Sequence, residues 1–92
     1  MVPPTVYVIT SSVNAIPHFR HSWDTAYGNA VNEVILQKDG GAPVTYTVNA
    51  NQVESNGSDI VIWGRGQYSN PGTYVWTIKA TGYKDVTITV FI

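Results

Sequence analysis

The sequence has no cysteine. That excludes disulfides and thiolate metal sites, on which many small secreted domains rely. It does not place the chain inside a cell, because bacterial surface modules commonly lack cysteine. Charge is scarce as well. Charged residues are 12% of the 92, about half the ~25% usual in globular domains. Five basic and six acidic side chains leave a net charge of −1. No basic stripe is present for a nucleic-acid backbone. No apolar run approaches the roughly 20 residues of a membrane-spanning helix. The N-terminus lacks the charged-then-apolar layout of a leader peptide. Met1-Val2-Pro3-Pro4 is expected to head a module excised from a longer chain.

What is present points to a folded β domain. Hydrophobic residues reach 43%, too many for disorder. The length suits one domain, residues 1–92, with a modest core and 1–5 as a linker-like entry. Polarity comes mostly from Thr, Ser, Asn and Gln, which suit strands, turns and an extracellular setting.

The clearest pattern is C-terminal. Over Thr73–Ala80, Tyr74, Trp76, Ile78 and Ala80 alternate with Thr73, Val75, Thr77 and Lys79. This period of two marks a strand with one buried face. Gly82-Tyr83-Lys84 breaks it. Val86, Ile88, Val90 and Ile92 then alternate with Asp85, Thr87, Thr89 and Phe91, which predicts an antiparallel hairpin. Two strands are not stable alone in water, so the rest of the chain must cover their apolar face.

Shorter strands are predicted at Val6–Thr10, Pro17–Trp23, Val31–Gln37, Pro43–Val48 and Ile60–Trp63. Turns fall at Lys38-Asp39-Gly40-Gly41 and Asn70-Pro71-Gly72. Asn56-Gly57 predicts a tight turn with positive φ. Asp24–Ala30 can form a helical turn or two, with Asp24 as N-cap. Together these elements predict an all-β, immunoglobulin-like antiparallel β-sandwich of about seven strands with at most one short helical turn.

The residues Pro71-Gly72-Thr73-Tyr74-Val75-Trp76-Thr77-Ile78-Lys79-Ala80-Thr81-Gly82-Tyr83-Lys84-Asp85-Val86-Thr87 resemble the end of a bacterial family of hemoglobin-interacting domains. That family is related to modules of a streptococcal surface hemoprotein receptor. Trp23 followed by Val31–Leu36 is similar to the family's middle, so the likeness spans roughly residues 18–92. Asp39-Gly40-Gly41 stands where the family commonly carries Asn-Gly. The resemblance implies a sandwich fold, a protein partner, and a place at the cell surface or in a secreted protein. It transfers no binding residue, because its sharp part builds a hairpin.

Catalytic chemistry finds little supply. No Ser stands in a Gly-x-Ser-x-Gly turn. His21, Ser22 and Asp24 assemble triad types, but adjacent strand residues point to opposite faces. The carboxylates Asp24, Glu33, Asp39, Glu54, Asp59 and Asp85 lie mostly in or beside turns, unlike a glycosidase pair across a cleft. His18 and His21 would face opposite sides of a strand and could not share one ion. No metal, heme or other cofactor is expected, and the chain is not expected to be an enzyme.

The aromatic residues say more, with three Trp and six Tyr. Tyr74, Trp76 and Tyr46 read as core. Trp63 lies on the opposite parity from Ile60 and Ile62, and opens Gly64-Arg65-Gly66-Gln67-Tyr68. Trp63, Arg65 and Tyr68 are candidate ligand-binding residues. The competing reading has Trp63 and Tyr68 plugging one end of the sandwich. Phe19, His21 and Trp23 share a strand face, with Tyr27 following. Trp23 and Tyr27 are candidates for a second aromatic surface, although alternation favours Phe19 and Trp23 in the core. Phe91 is expected to be exposed, at an interface with a neighbouring domain.

These features predict a non-catalytic interaction module of a secreted or surface-anchored, multi-domain bacterial protein, without membrane insertion. Two alternatives remain: a carbohydrate-binding accessory module of a secreted glycoside hydrolase, taking a polysaccharide, or a ligand-free structural spacer.

Overall fold

The computed structural model describes residues 1–48, 53–63 and 67–92. Among these, eight strands and one short helix run in the order β1 (Val6–Thr10), β2 (His18–His21), α1 (Thr25–Ala30), β3 (Val31–Lys38), β4 (Val44–Thr47), β5 (Val53–Ser55), β6 (Asp59–Ile62), β7 (Thr73–Ala80) and β8 (Val86–Phe91). They form two four-stranded antiparallel sheets, β1-β2-β6-β5 and β4-β3-β7-β8. The predicted sandwich is therefore present.

The predicted C-terminal hairpin is present residue for residue in β7. Tyr74, Trp76, Ile78 and Ala80 are buried, and the residues between them are half-buried. β8 pairs with it from Thr73↔Phe91 to Ile78↔Val86. Trp76 sits at the centre of the core. Its ring meets Phe19 edge-on, with centroids 5.5 Å apart, and Tyr68 at 6.1 Å. Such offset and edge contacts add roughly 0.5–1.5 kcal/mol each beyond area burial. The inner face of the first sheet answers with Phe19, Val53, Ile60 and Ile62.

Two local expectations are corrected, and one strand is added. β2 ends at His21 and does not reach Trp23, because Ser22 leads into the cap of α1. Asn56-Gly57 does not use a positive φ at Gly57. The Asn56 side chain instead accepts from the amides of Ser58 and Asp59, at 3.2 and 3.1 Å, and closes the β5–β6 turn itself. That is the Asx-turn chemistry of asparagine. Lastly, β5 was not predicted, since three residues are too few for a readable period.

The β3–β4 turn behaves as predicted. Asp39 and Gly40 both take positive φ, 50° and 74°, and Asp39 Oδ1 accepts from the Thr73 amide at 2.8 Å.

Candidate functional site

The site grows out of strand parity on β6. Ile60 and Ile62 point inward, so Asp59, Val61 and Trp63 share the outer face. Val61 is only 8% exposed, yet it lies outside the core cluster. Its cover comes from neighbours on the outside of the sheet. The register sets Thr10 opposite His18, His18 opposite Val61, and Val61 opposite Glu54, making one row across all four strands. Beyond Val61 stands Trp63, 44% exposed. Ala15 and Ile16 come from the β1–β2 loop, and Asn14, Asn56 and Asp59 complete the lining. The result is a groove of about 610 Å³ whose lining is mostly apolar surface.

The groove wall is held in place by backbone bonds. Asn14 adopts φ 67°, a left-handed conformation that asparagine tolerates better than most residues. Its amide donates to the Tyr68 carbonyl at 2.8 Å, and Ala15 N donates to Ser12 O at 2.9 Å. Thr10 Oγ1 donates to Ile16 O at 2.8 Å. Across the sheet, Ile62 N donates to Pro17 O at 3.0 Å. Ile16 is thereby fixed beside β6, which ends one residue before Trp63.

The charges of the groove are unequally matched. Arg20 Nε donates to Asp59 Oδ1 at 3.1 Å, and His18 Nε2 stands 3.4 Å from the same oxygen. Burial works to raise the Asp59 carboxyl. The hydrogen bond and charge of Arg20, joined by His18, outweigh it and hold that carboxyl below the usual range. Glu54 is exposed and has no ion-pair partner among the described residues.

Of the residues singled out in the sequence, Trp63 lines the groove, whereas Trp23, Tyr27 and Tyr68 do not. Arg65 lies outside the described residues. Tyr68 is interior, 1% exposed. It stacks edge-on against Tyr74 at 4.9 Å, and its Oη accepts from Trp76 Nε1 at 3.0 Å. Tyr27 projects from α1 and is fully buried, between His21 and Tyr83. Neither tyrosine presents a face to a partner, because each fills the space between the two sheets. Tyr68 thus plugs the sandwich, while Trp63 does not.

Trp23 corrects the parity argument in the other direction. It is 79% exposed, whereas Phe19 is buried as expected. The chain leaves the strand at Ser22, so alternation no longer governs Trp23. Its indole lies against Gly57, where an added Cβ would stand 3.1 Å from the ring. This is the opposite end of the first sheet from Trp63. The His21 amide bonds Ser58 O, and the Ile62 amide bonds Pro17 O, rows separated by four residues or roughly 13 Å. Trp23 and Trp63 thus form no planar row of the sort that a sugar-binding platform uses. Phe91 is exposed as expected, at 76%, on the outer face of the second sheet.

The sequence missed Ile16, His18, Glu54 and Val61 as partners of Trp63. The parity shared by Val61 and Trp63 was the one available signal.

The family described as "Heme-binding protein Shr-like, Hb-interacting domain" matches residues 8–92. The match begins within β1 and runs to the last residue, so it covers both sheets. No curated protein and no solved structure matches the chain.

Proposed function

The chain belongs to the Shr-like Hb-interacting domain family, and on that premise we propose that it is a non-catalytic module that binds hemoglobin through the groove at Trp63, as part of a secreted or surface-anchored multi-domain protein. The family match over residues 8–92 carries the reading. The groove supports it physically. A half-exposed Trp in a groove whose wall at Asn14–Ile16 is held by hydrogen bonds is the kind of feature that anchors protein contacts. Little ordering entropy remains to be lost when such a surface is covered. Arg65 remains a candidate contact by its position two residues after Trp63 in the sequence.

Calorimetric titration of the isolated chain with hemoglobin tests the proposal. The expected result is saturable binding that Trp63→Ala weakens by tenfold or more, since truncating an anchor residue commonly costs about 2 kcal/mol. Thermal unfolding of Trp63→Ala should stay close to the parent, because the ring lies outside the core. Absence of binding at micromolar hemoglobin would reject the partner. Undiminished binding by Trp63→Ala would reject the site.

A further inference from the structure

Building on the protein-binding reading above, we propose that the groove takes an apolar side chain of the partner with a lysine or arginine beside it, and that Glu54 is the residue that selects the cation. Two carboxylates line the groove. Asp59 is already answered inside the chain by Arg20 and His18. Glu54 stands on the neighbouring strand, paired in register with Val61, and has no counter-ion among the described residues. Among the described residues, the groove therefore offers one unanswered negative charge beside apolar side chains.

That combination fits a side chain with an aliphatic stem and a cationic head. The stem of a Lys or Arg lies along apolar surface while its charge stays in water. Here the stem would cross Val61 and the head would reach Glu54. The Trp63 ring adds a surface that attracts cations as well as apolar groups. A partner segment with an acid at the same place would meet Glu54 directly and be rejected by like charge.

The test uses the whole chain, isotope-labelled for NMR, and two blocked peptides that differ only in Leu-Lys against Leu-Glu. The Leu-Lys peptide should shift the Trp63 indole and Val61 amide resonances saturably, and bind about fivefold more tightly than its Leu-Glu counterpart. Glu54→Gln should bring that ratio near one, and Glu54→Lys should reverse it. Raised salt should shrink the preference in the parent chain. Glu54 is exposed on a strand, so all three proteins should unfold at similar temperatures. Equal binding of both peptides, binding of neither, or an unchanged ratio in Glu54→Lys would overturn the inference. Titrating hemoglobin into the same three proteins separates the two proposals. Peptide selectivity without hemoglobin binding removes only the partner. Hemoglobin binding that is indifferent to Glu54→Lys, with no peptide preference, removes only the selectivity.

Discussion

Trp76 and Tyr68 are joined inside the core by one hydrogen bond, from the indole Nε1 to the phenolic oxygen at 3.0 Å. An indole N–H has no other use for its proton, so an acceptor must be found when the ring is fully buried. Tyr68→Phe keeps the ring packing against Tyr74 and removes that acceptor. It should therefore lower stability by about 1–3 kcal/mol, the cost of an unsatisfied buried donor. Chemical denaturation of the parent and variant would measure it, and an unchanged midpoint would mean that the bond contributes nothing. The same residue scale explains what could be read early. Trp76 stands mid-strand, where alternation is strict, and its burial followed from sequence. Trp23 stands two residues past the end of β2, where strand parity has no hold. Tyr68 carries no periodic signal at all, because it precedes a turn.

At the scale of elements, α1 is placed by its contacts with the β5–β6 turn. Asp24 caps the helix, accepting from the Tyr27 amide at 3.1 Å, and the Asp24 amide in turn donates to Gly57 O at 3.0 Å. Ser55 Oγ donates to Gly28 O at 2.7 Å. Gly28 is where the two elements touch most closely, since a Cβ there would lie 1.8 Å from the Asn56 carbonyl oxygen. Helix propensity alone would favour alanine at this position by ~1 kcal/mol. The clash is with backbone and cannot be relieved by rotating a side chain, so it should win. Gly28→Ala should cost roughly 1–3 kcal/mol or more, as overpacking does, and should also disturb the environment of Trp23 on Gly57. Thermal unfolding together with Trp fluorescence would show both effects. A stabilised variant would mean that propensity dominates and that the β5–β6 turn gives way to admit the methyl group. The cap was legible from Asp24, whereas the turn it grips was misread at Gly57, because Asn56 can close a turn with its own side chain.

The whole molecule is a pair of sheets whose inner faces were legible in β7 and β8 and whose groove was not. Periodicity reports which face of one strand is wet. It says nothing of how Ile16, His18, Glu54 and Val61, drawn from a loop and three strands, come to surround Trp63. Another property of the whole is also set by assembly. Tyr27 and Tyr68 sit toward opposite ends of the core, beside Tyr83 and Tyr74, and burial pushes each phenol up from 10.0 to about 12. For Tyr27 the charge of Asp85 adds to the rise. For Tyr68 the hydrogen bond from Trp76 opposes it. A phenol that ionises later in the fold than in the unfolded chain contributes stability that is complete below pH 10 and lost as pH rises through about 12. Two such groups amount to a few kcal/mol, comparable with the net stability of a small domain. The chain should therefore unfold cooperatively between about pH 10 and 12, with phenolate absorbance and loss of circular dichroism rising together. Tyr27→Phe sharpens the test. Tyr27 Oη is buried without a hydrogen-bond partner among the described residues, so its removal should leave stability at neutral pH unchanged or slightly raised. The alkaline midpoint should then move upward. If Tyr27→Phe instead destabilises the neutral protein and leaves the alkaline transition in place, that hydroxyl has a partner in the fold, and its burial is not what makes the sandwich sensitive to base.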